Sequence, residues 1–171
     1  MIKETEIYSV INWIKENVYS KQGIILLNYI NNEEGTEYES CCFELAGKKV
    51  QHRLSKITPT KSGQFVTIWK RNAMGETSPF DVLDVLDFVI ITSKAGEKIG
   101  QFIFPKSVLA EKGILSQNGK GGKRGIRVYP AWDITDNKQA EKTQSWQTKY
   151  FVCFDNACDG ATGLRQLLAA G

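Results

Sequence analysis

The chain has 171 residues, 42% apolar and 11% aromatic, enough for one domain with its own core. It has no apolar run near the roughly 20 residues that span a bilayer and no signal-peptide core after Met1, so we expect a cytoplasmic protein with no membrane contact. Lysines and arginines number 22 against 19 acids, a net charge of +3; the lone histidine, His52, excludes a multi-histidine metal centre and leaves a histidine-dependent triad without an evident nucleophile.

Residues 5–19 place Ile7, Val10, Ile11, Ile14 and Val18 at helical spacing, with Thr5 as N-cap and Gly23 just past the end. After the polar stretch 31–37, segments 41–46 and 49–57 read as a hairpin turning at Ala46, Gly47 and Lys48. Turn residues fill 58–63 and lead into a strand over 64–71. The loop 72–79 and the acid-spaced segment 79–87 precede an apolar strand, 88–92, which a turn at 94–97 joins to a strand at 99–104. Pro105 and Lys106 open a short helix ending near Gly113. A glycine-rich basic segment, 119–125, precedes a strand at 126–129, followed by a helix over 136–147 and a strand over 149–154. Strands consecutive in sequence predict a sheet that begins as an antiparallel meander. The fold class expected is α/β (α+β), a central mixed, largely antiparallel sheet flanked by helices. Residues 1–154 form the single domain and 155–171 a weakly helical tail.

Cys41, Cys42, Cys153 and Cys158 lack zinc-finger or thioredoxin spacing and read as reduced thiols. The positive charge is unevenly spread: residues 45–75 hold seven cations and no acid, and 98–132 hold seven against Glu111. If both stretches fold onto one side, that side attracts anions. The candidate phosphate contacts are Arg53, Lys56, Lys61, Lys70, Arg71, Lys120, Lys123, Arg124 and Arg127. Trp69 is placed to stack on an unpaired base, worth about 1–3 kcal/mol; the competing reading has Trp69 capping the core and the cations solvated. The 119–125 segment lacks the Gly-Lys-Ser/Thr of a P-loop, which leaves a backbone grip on phosphate or a mobile hairpin tip. Tyr129 and Trp132 extend the surface beside Arg127, whereas Trp146 is expected in the core.

The stretches 56–71 (KITPTKSGQFVTIWKR), 100–108 (GQFIFPKSV), 122–132 (GKRGIRVYPAW) and 143–151 (TQSWQTKYF) resemble MepB-like proteins, a family named from a gene beside a multidrug-efflux pump. The resemblance implies a restriction-endonuclease-like fold and a nucleic-acid partner; catalysis has to be argued from the site. Nucleases of that fold pair an Asp on one strand with Asp/Glu-x-Lys on the next, two carboxylates holding a divalent ion. Here Asp87 opens one strand and the next reads Gln101, Phe102, Ile103, with Lys106 as a displaced lysine. Any magnesium site would draw on Asp81, Asp84 and Asp87, or on Glu39 and Glu44, although acids at every third position also serve as turn and cap residues.

Three functions follow. The first is a nucleic-acid-binding protein without catalysis or cofactor, holding phosphates on its basic face. The second is a magnesium-dependent nuclease built on Asp87, Glu39, Gln101 and Lys106. The third is a ligand-binding or interaction protein linked to drug efflux, with aromatic residues lining a pocket. The sequence sets no oligomeric state.

Overall fold

The computed structural model describes residues 9–155 and 160–171. The chain opens with α1 (Val10–Ile14), which runs on through a wider helical turn at Lys15–Tyr19 and a tighter one at Ser20–Gln22. Its first N–H groups have two side-chain acceptors: Ser9 Oγ accepts from Asn12 at 3.3 Å and the Glu39 carboxylate from Val10 at 3.1 Å, as an N-terminus with unpaired N–H groups requires. The expected cap Thr5 and the apolar Ile7 lie outside the described residues.

Three strands follow, β1 (Leu26–Asn31), β2 (Cys41–Leu45) and β3 (Lys48–Leu54). Ala46 and Gly47, both at positive φ (50° and 77°), form the two-residue turn between β2 and β3, the geometry that matches strand twist. Beyond Ser55 come β4 (Lys56–Ile57), β5 (Gln64–Thr67), β6 (Trp69–Arg71) and β7 (Thr77–Pro79). Then come β8 (Phe88–Ala95), β9 (Lys98–Pro105) and α2 (Lys106–Glu111). A small hairpin, β10 (Ser116–Gln117) and β11 (Lys120–Gly121), leads to β12 (Gly125–Val128). The chain finishes with α3 (Lys138–Gln147), β13 (Phe151–Cys153) and α4 (Gly160–Ala169).

The main sheet has the order β1-β2-β3-β8-β9-β13. Every pairing in it is antiparallel except β3 with β8, so the mixed, largely antiparallel sheet and its initial meander are present. Period-two alternation divides two cores between its faces. Phe88, Ile90, Ile99 and Ile103 meet Ile11, Ile14 and Tyr19 of the first helical stretch and Leu164 and Leu168 of α4. Val89, Ile91, Phe102 and Phe104 meet Val66, Ile126 and Val128 of a second, three-stranded sheet, β12-β5-β4, together with Leu109 of α2. The segment expected as a weakly helical tail therefore packs into the first core, with Leu164 fully buried. Among the described residues no helix is long and apolar enough to cross a membrane.

The expected strand over 64–71 is broken at Ile68. Its N–H donates to the Arg124 carbonyl at 2.8 Å, after which the chain leaves β12 and pairs with β7. Ser55 joins the two sheets: its buried hydroxyl donates to Gln64 Oε1 at 2.7 Å and lies 2.6 Å from Ser93 Oγ. Cys41 and Cys42 are free, but Cys153 is disulfide-bonded, which departs from the expected set of thiols; Cys158 lies outside the described residues.

Beneath the first helical stretch runs a buried polar chain. Tyr19 donates to Gln101 Oε1 at 2.6 Å, Gln101 Nε2 donates to Thr92 Oγ1 at 3.0 Å, and Thr92 Oγ1 lies 2.8 Å from His52 Nε2. The Glu39 carbonyl beside His52 Nδ1 can only accept, so Nε2 is the bare nitrogen and takes the Thr92 hydroxyl proton. The imidazole proton is then on Nδ1, facing the Glu39 carbonyl at 3.2 Å. Burial pushes the His52 pKa down to about 3, so the ring is neutral and structural.

Candidate anion-binding surface

The face of the three-stranded sheet turned away from the core is organised by β5. Gln64 and Val66 point inward and are buried, while Phe65 and Thr67 point outward. Phe65 lines one cleft and Thr67 another; residues two apart on a strand are ~7 Å apart, so the two clefts are neighbours on one side of the molecule. The charged loops on either side of β5 and β12 supply the cations.

The larger cleft, about 820 Å³, runs between β12 and α3. Lys61, Lys112, Lys123 and Arg127 line it, with Asp136 as its one acid. Arg127 is held by two acceptors, Ser62 O at 3.0 Å and Thr58 Oγ1 at 2.7 Å. Asp136 is engaged by Ser62 Oγ at 3.1 Å and Asn137 Nδ2 at 2.9 Å. Among the described residues none of the four cations lies within ion-pair distance of a carboxylate. Lys112 Nζ sits 5.2 Å from the centre of the Trp146 ring, which also meets the Phe104 ring at 5.4 Å. Trp146, expected in the core, thus also walls the groove. Trp132 lies instead edge-on to Phe151 at 5.4 Å.

The smaller cleft, about 500 Å³, opens where β5 gives way to β6. Arg53, named as a candidate phosphate contact, is only 5% exposed. It donates from Nη1 to His52 O at 2.8 Å and from Nη2 to Trp69 O at 3.3 Å, with Phe80 beneath it at 5.8 Å. Burial lowers its pKa to about 10, so it remains charged at neutral pH. Lys70 and Arg71 line the same cleft but are paired, with Asp84 at 2.6 Å and Glu34 at 3.0 Å. The Arg71 guanidinium also lies over Trp69, 5.1 Å from the ring centre.

The remaining predicted cations differ in position. Lys56 pairs with Glu37 at 3.2 Å and lies over Tyr38. Lys120 is exposed on β11. Arg124 is exposed and donates to Thr77 O at 3.3 Å. The expected phosphate surface is therefore partly neutralised by Glu34, Glu37 and Asp84, acids far away in sequence. Lys112, counted in the second charge run but not among the candidate contacts, and Trp146, expected in the core, also belong to it. The signal for both was spatial: α2 ends and α3 passes beside β12.

The expected nuclease constellation does not assemble. Asp87 precedes β8 and accepts from the Lys49 N–H at 2.8 Å, and Lys106 Nζ donates to the Asp84 carbonyl at 2.6 Å. Gln101 pairs across β8 with Thr92, far along the strand from Phe88, which faces Pro105. Its side chain is buried against Tyr19, and Glu39 caps the first helix. Asp81 accepts from Ser116 Oγ at 2.7 Å and the Leu83 N–H at 3.0 Å, and Asp84 from the Asp81 N–H at 2.7 Å. The Ser116 hydroxyl, ahead of the Leu83 amide, holds the Asp81 carboxyl below the usual range. Among the described residues no three His, Cys, Asp or Glu side chains gather as a metal site. Asp81, Asp84 and Asp87 thus act as turn acceptors, because unpaired N–H groups in an irregular segment need partners.

The model of the MepB-like family matches residues 32–153 of the chain. A crystal structure of MepB superposes on it with a TM-score of 0.75, at 32% identity, covering 86% of this chain and 99% of that one. Among curated proteins none matches.

Proposed function

The chain belongs to the MepB-like family, and we propose that it is a cytoplasmic nucleic-acid-binding protein whose groove between β12 and α3 holds a phosphate backbone without catalysis. The observation that carries this reading is the charge of the groove: four cations, one acid already engaged by two donors and, among the described residues, no ion pair to any of the four. Unpaired lysine and arginine side chains in one concave strip displace counterions from a polyanion, which gives affinity with little sequence preference. Arg127 is held in place by two acceptors, and the ring of Trp146 offers a surface for a base or sugar.

Binding is favoured over cleavage because the acids nearest the basic surface accept from backbone N–H, hydroxyl and ammonium donors. The smaller cleft contributes little backbone affinity, since Lys70 and Arg71 spend their charge on Asp84 and Glu34.

Fluorescence anisotropy with labelled oligonucleotides over a salt series tests the reading. The logarithm of the binding constant should fall linearly with the logarithm of salt concentration. Lys123→Ala and Arg127→Ala should each flatten the slope by roughly 0.7–0.9. Tight binding indifferent to salt, or slopes unchanged in both variants, would remove the groove from consideration.

A further inference from the structure

We infer that the smaller cleft is a pocket for one unpaired keto base, guanine, uracil or thymine, of the strand whose backbone lies in the groove; this deepens the nucleic-acid reading and rests on it. The pocket is close to charge-balanced. Lys70 is neutralised by Asp84 and Arg71 by Glu34, and Glu33 stands exposed at the rim. The same lining includes a buried guanidinium without an ion pair among the described residues, a half-buried amide, Gln51, and an indole. A balanced cleft of this kind favours a neutral, planar, acceptor-bearing group over a second phosphate.

Arg53 decides which group. A guanidinium carries five N–H donors and no acceptor. One goes to His52 O and one to Trp69 O, which leaves donors for the cleft that Arg53 lines. A base enters such a cleft with its sugar at the mouth, so the group farthest from the sugar reaches the most deeply buried charge. That group is a carbonyl in guanine, uracil and thymine and an amino group in adenine and cytosine. Arg53 bonds the first and faces the second donor to donor. Guanine adds N7 as a second acceptor for the guanidinium fork.

Gln51 lies two residues from Arg53 on the same face of β3, ~7 Å away, and also lines the cleft. Its Oε1 accepts the ring N–H that adjoins the carbonyl in all three keto bases. Trp69, with Arg71 stacked on it, supplies the flat wall. At about 500 Å³ the cleft is within the range of small-molecule sites, roughly 300–1,000 Å³. Because Phe65 and Thr67 open onto the two clefts from one face of β5, a strand in the groove reaches the pocket with a single nucleotide turned out of its stack.

The test compares single strands of equal length at fixed salt. A thymine strand, and a cytosine strand carrying one guanine, should bind about ten-fold tighter than plain cytosine or adenine strands. Gln51→Leu should abolish that preference and leave the salt slope unchanged, since the groove is intact. Arg53→Lys, which keeps the charge and loses the fork, should do the same, with circular dichroism confirming a folded variant. Equal binding of thymine and cytosine strands by the native protein, or a preference that survives in Gln51→Leu, overturns the pocket while leaving the groove. If no strand binds even at low salt the groove reading falls, and free nucleotides then decide the pocket. Quenching of tryptophan fluorescence by uridine monophosphate but not cytidine monophosphate, lost in Trp69→Phe, supports it; no quenching by either overturns it.

Discussion

Gln147 Nε2 donates to the carbonyl of Arg127 at 2.9 Å, and the same side chain accepts from the Tyr129 N–H at 2.8 Å. One amide on α3 thereby presents to β12, the edge of the three-stranded sheet, the donor and acceptor that a neighbouring strand would have offered. The edge is closed to further pairing, and the Arg127 backbone is fixed where its guanidinium reaches the groove. Gln144 adds a second tie from the same helix, donating to Pro130 O and Asp133 O.

Gln147→Leu keeps most of the volume and removes both bonds, leaving a buried N–H and carbonyl without partners at about 1–3 kcal/mol each. The midpoint of urea unfolding should fall accordingly, and oligonucleotide affinity should drop although no charge has changed. A variant with native stability would show that the helix holds β12 by packing alone.

How far the sequence revealed this architecture depends on whether the information was local. The β2–β3 hairpin was legible because Ala46 and Gly47 are turn residues between alternating segments, and α3 because Asn137 caps it, accepting from Ala140 at 2.8 Å. The strand over 64–71 was seen whole, because the break at Ile68 is made by the Arg124 carbonyl, more than fifty residues on. β1 escaped because five of its six residues are exposed, so no alternation marks it. For the site, the cations of the groove were legible as charge runs. Those of the smaller cleft were named without Glu34 and Asp84, whose pairing no spacing shows. The glycine-rich segment left a grip on phosphate and a hairpin tip both open, and its glycines serve a hairpin and a tight contact.

That contact gives a second prediction. Gly121 and Gly122 both have positive φ, 72° and 81°, but a Cβ on Gly121 meets open space while one on Gly122 falls 2.6 Å from Pro79 Cβ and 2.8 Å from the Ser116 N–H. Gly121→Ala should cost about 1–2 kcal/mol for the left-handed backbone alone. Gly122→Ala adds an overpacking cost of about 1–3 kcal/mol. Thermal unfolding of the two variants side by side measures the difference; equal losses would refute the contact.

The neutral, buried His52 makes stability depend on pH. Its folded pKa, about 3, lies below the unfolded value of about 6.5, so between the two the unfolded chain binds a proton that the folded chain does not. Stability therefore rises with pH across this window and is fully present above it, with a slope of up to about 1.4 kcal/mol per pH unit from this group. Glu39, its carboxyl pushed up by burial, acts in the opposite sense at the acidic end. Urea titrations from pH 7 to pH 5 should show the loss in the native protein and a flatter profile in His52→Asn. Identical profiles would mean that the ring is protonated in the fold.

Neutralising an acid should strengthen binding where that acid now occupies a cation. Asp84→Asn keeps an oxygen for the Asp81 N–H and releases Lys70, and Glu34→Gln releases Arg71. Each adds one unit of positive charge beside the groove, so the salt dependence should steepen by up to roughly 0.7–0.9 and affinity at low salt should rise. The two substitutions free cations that are adjacent in the chain and line one cleft, so the effect of the double variant should depart from the sum of the two. Arg71 has a second anchor in the Gly75 carbonyl at 3.1 Å, which keeps it near Trp69 when Glu34 loses its charge. Lys70 has no such second acceptor among the described residues and is the freer of the two to reach a phosphate. Asp84→Asn should therefore give the larger gain, and a loss of affinity in that variant would mean that the ion pair positions the surface instead of masking it.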